Sequence, residues 1–107
     1  MNDFKFDKRS DELFKAVLSL KNIADCEAFF RDLCTIQELK DMRDRWRIVT
    51  YLQKGLSYRD IAKRMKTSTT TVARVAFWLK NGRGGYNSVW QELNSHHRNP
   101  SPGKGLL

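Results

Sequence analysis

Apolar residues recur three or four positions apart along most of the chain, the spacing that places side chains on one face of an α-helix. The clearest example is the central run Ile36, Leu39, Met42, Trp46, Val49 and Leu52. The two prolines both lie near the C-terminus, at positions 100 and 102, so neither interrupts a helix upstream. The pattern predicts an all-α protein of six helices.

Start and stop signals give approximate bounds for these helices. The predicted ranges are 10–21, 25–34, 35–54, two short helices within 57–79, and 86–95. Ser10 precedes two acidic residues that suit a first turn, and Thr35 with Glu38 forms a capping box at the start of the third helix. Residues from Asn99 onward, NPSPGKGLL, are expected to be a disordered tail.

The segment from Ser57 to Leu79, SYRDIAKRMKTSTTTVARVAFWL, has the spacing of a helix-turn-helix. Its two predicted inner faces consist of Ile61, Ala62 and Met65 on the first helix and Val72, Val75, Ala76 and Leu79 on the second. Ser57 and Ser68 stand where N-cap residues are expected. Lys66 occupies a turn position where glycine is usual. Either the turn is altered, or Lys66 adopts a positive φ at a cost of about 1 kcal/mol.

The outward face of the second helix carries small polar residues, one arginine and no acidic residue: Ser68, Thr69, Thr70, Thr71 and Arg74. Such side chains can bond to base edges and phosphates, and Thr69, Thr70 and Arg74 are the candidates for base contacts. A solvated polar face in an ordinary helical bundle would account for the same residues.

The distribution of charge favours DNA as the partner. Residues 35 to 107 carry 14 Lys and Arg against five acidic residues, whereas residues 1 to 34 carry six against seven. The basic residues concentrate in and beside the helix-turn-helix, where they would neutralise phosphates and release counterions. The candidate phosphate contacts are Arg59, Lys63, Arg64 and Lys80.

Other classes of protein find little support. No run approaches the about 20 apolar residues that cross a membrane, and the N-terminus lacks a signal-peptide pattern, so a cytoplasmic protein is expected. Cys26 and Cys34 are expected to be buried thiols rather than a disulfide, and His96-His97 is not expected to bind metal. No arrangement of catalytic groups is evident, so neither an enzyme nor a cofactor is predicted. The glycine-rich segment 81–85 is interpreted as a helix cap and hinge.

A chain of 107 residues has difficulty burying many large apolar side chains by itself. Those outside the helix-turn-helix include Phe4, Phe6, Phe14, Phe29, Phe30 and Trp46. This excess predicts a partner. A symmetric dimer is the commonest solution, and DNA readers use it to match two half-sites about 34 Å apart.

Residues Leu33 to Tyr86 resemble the Trp repressor superfamily, and within it the YerC/YecD group. The resemblance is carried by RWRIVTYLQKGLSYRDIAKRM, STTTVARV and NGRGGY, in that order. It implies an intertwined homodimer in which N-terminal helices interlock and each helix-turn-helix stands out as a DNA-reading head. It divides the chain into dimerisation helices at 1–34, a Trp-repressor-like DNA-binding domain at 35–95 with the helix-turn-helix at 57–79, and a flexible tail at 96–107.

The resemblance also implies a position for a small-molecule effector. Arg45 and Arg74 match the two arginines that hold the indole of L-tryptophan, and Thr35 matches a residue near that ligand. Val75 and Trp78 replace a glycine and a serine, and their added bulk argues against L-tryptophan. A different effector is left open. Arg45 can instead pair with Asp41 on its own helix, and Arg74 can instead contact DNA.

The sequence therefore predicts a dimeric, sequence-specific DNA-binding transcription regulator, expected to be a repressor that occupies a palindromic operator in double-stranded DNA. Two alternatives stay open. One is a helical adaptor that binds protein. The other is a replication or recombination accessory, since the superfamily's DNA-binding head is reused in replication initiation.

Overall fold

The computed structural model describes the backbone of residues 4 to 98 and the side chains of residues 4 to 95. Its six helices are α1 Lys8–Leu18, α2 Ile23–Leu33, α3 Ile36–Gln53, α4 Tyr58–Met65, α5 Thr69–Asn81 and α6 Gly85–Arg98. No strand occurs among these described residues, and the predicted all-α, six-helix chain is confirmed. The predicted tail from Asn99 onward lies outside the described residues. Within the described range, no helix has the length and apolar composition that crossing a bilayer requires.

The first helix begins at Lys8 rather than Ser10, because its N-cap is Asp7. The Asp7 carboxylate accepts a hydrogen bond from the Ser10 backbone N–H at 3.0 Å, and the Ser10 hydroxyl accepts one from the Asp7 N–H at 2.7 Å. The bond from the Ser10 backbone favours the charged carboxylate and holds the pKa of Asp7 below its usual value. Ser10, the predicted start, is therefore the third helical residue and forms a capping box with Asp7, the actual N-cap.

Side chains also cap the next two helices. The Asn22 amide oxygen accepts from the Asp25 N–H at 2.8 Å, so α2 starts slightly before its predicted position. At the start of α3, the Thr35 hydroxyl accepts from the Glu38 N–H at 3.0 Å and the Glu38 carboxylate accepts from the Thr35 N–H at 2.8 Å. The capping box predicted at Thr35 and Glu38 is confirmed.

The chain divides into two compact units, at residues 1–40 and 41–107. In the described part of the first unit, α1 and α2 contain no buried residue. Phe6 lies between two other aromatic rings, 5.0 Å from the centroid of Phe4 and 5.8 Å from that of Phe14. Other large apolar side chains are exposed: Leu13, Leu18, Ile23, Leu33 and Ile36. This unit has apolar surface but no interior of its own.

The exposure of α2 corrects one expectation about the cysteines. Both thiols are free, as predicted, but Cys26 is exposed and Cys34 is only half-buried. Cys26 is exposed because α2 packs none of its residues into a core within the single chain. Its apolar neighbours therefore do not imply burial.

The second unit contains the buried core. Its fully or nearly buried side chains are Ile48, Val49, Ile61, Ala62, Val72 and Val75, contributed by α3, α4 and α5. Partly buried residues, among them Met65 and Leu79, pack around this core. The inner faces predicted for the two helices between 57 and 79 are thus the faces that the core buries. α6 joins the same unit through the Gln53 amide, which donates to the Asn87 side-chain oxygen at 2.6 Å.

Candidate nucleic-acid interface

α4 and α5 are joined by a tight turn whose strain falls on Lys66. This residue has φ 55° and ψ 47°, in the left-handed region. The Thr67 N–H donates to the Ala62 carbonyl at 3.0 Å, across the end of α4. The same kind of bond ends α3, where the Leu56 N–H donates to the Tyr51 carbonyl at 3.1 Å and the left-handed residue is Gly55, with φ 87°. The turn therefore keeps the usual geometry with a lysine in the glycine position, which is the second of the two predicted outcomes.

Small and branched side chains fill the space between α4 and α5. Ala62 is 7% exposed, whereas Ile61 and Val72 are fully buried. Ala62 lies on the inner face predicted for α4 and belongs to the same buried cluster as Ile61 and Val72. This packing fixes the orientation of α5 relative to α4, and with it the positions of the exposed polar side chains.

The N-terminus of α5 presents hydroxyl groups and backbone donors to solvent. Ser68 is its N-cap and accepts from the Thr71 N–H at 3.1 Å, and the two hydroxyl oxygens lie 3.2 Å apart. Thr69 and Thr70 follow in the first turn, and both are exposed. No acidic residue occupies this turn. The positive end of the helix dipole and the free N–H groups therefore face solvent, an arrangement that favours an anionic partner.

Every residue predicted to contact DNA is exposed in the structure. Arg59, Lys63 and Arg64 lie on α4, and Arg74 and Lys80 lie on α5 together with the threonines. Exposure satisfies one requirement for a contact with DNA. The assignment of individual residues to bases or phosphates stays a prediction.

A pocket of about 650 Å³ opens between α3 and α5. It is lined by Asp41, Asp44, Arg45, Ile48, Met65, Thr67, Thr71, Arg74, Val75, Trp78 and Tyr86. Four residues that the family resemblance singled out thus surround one space: the two arginines, Val75 and Trp78. Thr35 does not line it. Its hydroxyl caps α3 instead.

Val75 and Trp78 line this pocket in different ways, because one side chain is buried and the other is exposed. Val75 is 5% exposed and belongs to the buried core, so its side chain forms part of the floor. Trp78 is 46% exposed and stacks edge-on against Phe77, with ring centroids 5.2 Å apart. The pocket keeps a substantial volume although both side chains line it.

Sequence reasoning missed the acidic side of the pocket. Asp41 and Asp44 line it together with Arg45 and Arg74, so its wall carries both signs of charge. Asp44 also accepts from the Arg43 guanidinium at 2.9 Å. The available signal was helical spacing, because positions 41, 44, 45 and 48 share one face of α3.

The glycine-rich connection 81–85 ends one helix and starts the next. The Gly82 N–H donates to the Trp78 carbonyl at 2.8 Å, and a Cβ atom at Gly82 would lie 2.5 Å from that oxygen. Gly84 has φ 84°, and α6 begins at Gly85. The interpretation as a helix cap is confirmed.

Among the described residues, no group of three His, Cys, Asp or Glu side chains is placed to hold a metal ion. The side chains of His96 and His97 lie outside that set.

The architecture is that of a TrpR-like helical protein. A protein from Eubacterium eligens ATCC 27750 described as TrpR-like has a solved structure that matches with a TM-score of 0.78 and 35% identity, covering 82% of this chain and 91% of that one. The structure of a protein from Staphylococcus aureus, described as a candidate Trp repressor, matches with a TM-score of 0.78 and 32% identity, covering 83% and 89%.

The sequence comparisons assign the family. The profile of the Trp repressor protein family matches residues 8–94, and the chain belongs to this family of DNA-binding regulators. The uncharacterized protein YerC of Bacillus subtilis (strain 168) is 38% identical over 79 residues, which is 74% of this chain and 76% of that protein. The resemblance drawn from the sequence motifs is thereby confirmed.

Proposed function

We propose that the protein is a cytoplasmic transcription regulator that binds double-stranded DNA sequence-specifically as a homodimer and represses transcription by occupying a palindromic operator. The observation that carries the proposal is the exposed first turn of α5, which bears hydroxyl groups and no acidic residue, beside the basic face of α4. This arrangement occurs in a chain of the Trp repressor family.

In this proposal α5 is the recognition helix of a helix-turn-helix. Thr70 and Arg74 are four residues apart and therefore share a face of α5, and Thr69 lies beside Thr70 in the first turn. Threonine can contact a thymine methyl group or a base-edge acceptor, and arginine can bond to guanine. These three residues are assigned to base contacts. Ser68 and Thr71, at the start of the helix, are assigned to contacts with the DNA next to these bases.

The remaining basic residues are assigned to the DNA backbone. Arg59, Lys63 and Arg64 extend along α4, and Lys80 lies in the last turn of α5. Their contacts would position the protein without reading sequence. Counterion release at the phosphates then supplies affinity that falls as salt concentration rises.

The apolar surface of the first unit supports the homodimer. Its exposed side chains include Phe14, Leu18 and Ile23, and neither α1 nor α2 contains a fully buried residue within the single chain. A second copy would cover this surface and place two recognition helices on one duplex. The α1 and α2 helices and the start of α3 are therefore assigned to the dimer interface.

The pocket beside α5 supports a second function, response to a small effector other than L-tryptophan. Its arginines, Arg45 and Arg74, are joined by two carboxylates, a combination that suits a ligand carrying both charges. Arg74 is also assigned to DNA, so a ligand held there would change the contacts of the recognition helix. Thr35, the third residue implied by the resemblance, would have to act from outside the described pocket lining.

Selection of binding sites from a random duplex pool tests the main proposal. We expect an enriched palindrome for the wild-type protein. Thr70→Ala should change the enriched sequence, whereas Arg43→Ala, which removes an exposed residue of α3, should leave it unchanged. A promoter carrying the enriched site should then lose transcription in vitro when the protein is added. An absence of duplex binding would favour the adaptor alternative. Site-specific binding without loss of transcription would favour the replication or recombination accessory.

A further inference from the structure

Two arginines from different helices converge on one tyrosine ring. The guanidinium carbon of Arg47, on α3, lies 5.9 Å from the centroid of the Tyr51 ring, and that of Arg64, on α4, lies 5.7 Å from the same centroid. Both arginines are exposed, and Tyr51 is half-buried. We refer to Arg47, Tyr51 and Arg64 as the arginine–tyrosine cluster.

The two guanidinium groups are less than 12 Å apart, because each lies within 6 Å of one point. Among residues 4 to 95, whose side chains the structure describes, neither takes part in an ion pair that the structure shows, whereas Arg43, one turn earlier on α3, bonds to Asp44 at 2.9 Å. Each arginine is attracted to the negative face of the ring's quadrupole. The two positive charges nevertheless repel each other, and the attraction of both to an anion bound at the cluster would offset that repulsion.

The cluster is held in place by the core of the second unit. Ile48 and Val49 of α3 and Ile61 of α4 are buried together, so the two helices that carry the arginines pack against each other. The Tyr51 carbonyl accepts the Leu56 N–H in the turn that ends α3, which also fixes the backbone beneath the ring. A guanidinium that already rests on a ring loses less conformational freedom when it binds a ligand.

We propose that Arg47 and Arg64, positioned by Tyr51, bind the phosphate backbone of DNA and extend the protein's contact with DNA from α4 and α5 onto α3. The inference rests on the proposed DNA-binding function. Arg64 shares α4 with Arg59 and Lys63, so the cluster continues a basic surface that faces the same partner. The planar guanidinium donates two parallel hydrogen bonds, a geometry that matches phosphate oxygens.

Sequence reasoning assigned Arg64 to phosphate but missed Arg47 and Tyr51. Their separation of four positions on α3 placed them on one helical face. What the sequence did not reveal was that Arg64, on the next helix, reaches the same ring.

The test compares two arginine variants of the full chain that remove the same charge from the same helix. Arg47→Gln removes a cluster residue, and Arg43→Gln removes the neighbour that pairs with Asp44. Duplex affinity is measured by fluorescence anisotropy between 50 and 200 mM salt, on the selected site and on a scrambled one. We expect Arg47→Gln to reduce the slope of log affinity against log salt by about 0.9 for each phosphate that the variant no longer neutralises. If the variant loses one phosphate contact, its affinity should decrease between 50 and 200 mM salt by a factor about threefold smaller than the factor for the wild type. The reduction should be equal on both duplexes.

Two tyrosine variants test the positioning role without changing charge. Tyr51→Phe keeps the ring and should bind as the wild type does. Tyr51→Leu should weaken binding while the protein stays folded, as judged by circular dichroism. If Tyr51→Leu unfolds, the exposed Arg47 and Arg43 variants still decide whether the cluster binds phosphate.

Equal salt slopes for Arg47→Gln and Arg43→Gln would overturn the cluster as a phosphate site and leave the proposed function intact. A wild-type protein that binds neither duplex at 50 mM salt would overturn the proposed function, and this inference with it. A reduced slope for Arg47→Gln alone would support both.

Discussion

The turn between α4 and α5 offers a direct measurement of backbone strain. Lys66 is held at φ 55° and ψ 47°, where a residue with a Cβ atom is disfavoured by about 1 to 2 kcal/mol. Lys66→Gly removes that strain but adds freedom to the unfolded chain, which offsets about 0.5 to 1 kcal/mol of the gain. We therefore expect the free energy of unfolding to rise by about 0.5 to 1 kcal/mol, equivalent to a Tm higher by about 2 to 8 °C.

A reciprocal variant gives the control. Gly55 occupies the same left-handed position after α3, with φ 87°, and a Cβ atom there would meet nothing within 4 Å. Gly55→Ala should therefore destabilise by about 1 kcal/mol through backbone strain alone. Lys66→Ala keeps the strain and removes the charge, so it should stay within about 0.5 kcal/mol of the wild type. Urea denaturation at one protein concentration measures all three. The account of the turn is wrong if Lys66→Gly is no more stable than Lys66→Ala.

The part of the second unit's core that α4 and α5 contribute was predictable because its signals are local, whereas the buried Ile48 of α3 was not among the predicted inward positions. Ile61, Ala62, Val72 and Val75 follow helical spacing within one short segment, and their burial needs no knowledge of distant residues. The start of α1 was harder to predict, because the local signals there are ambiguous. Asp7 and Ser10 are both good N-cap residues, and in the structure each caps the other, so composition alone did not identify which one precedes the helix.

The pocket and the arginine–tyrosine cluster depend instead on how helices pack. Asp44 and Arg74 line one space although 30 positions separate them in the sequence. Arg47 and Arg64 are 17 positions apart and meet only because α3 packs against α4. Helical spacing identifies which residues share a face of one helix. The crossing of two helices depends on the whole core, which is why both features required the structure.

Three further predictions concern the partners of the protein. Phe30→Asp should abolish both dimerisation and folding, since a charge would be buried at the interface without a partner. Light scattering that finds a folded monomeric wild type at micromolar concentration would contradict this. Arg74→Ala should reduce discrimination between cognate and scrambled duplexes, whereas Lys63→Ala should weaken both alike; competition binding separates the two effects. L-tryptophan should show no saturable binding below about 100 μM by calorimetry, with or without DNA. Val75→Gly combined with Trp78→Ser should enlarge the pocket and allow weak binding, but because Val75 is 5% exposed, its removal should cost a few kcal/mol of stability. Saturable tryptophan binding by the unmodified protein would show that these two side chains line the pocket without blocking it.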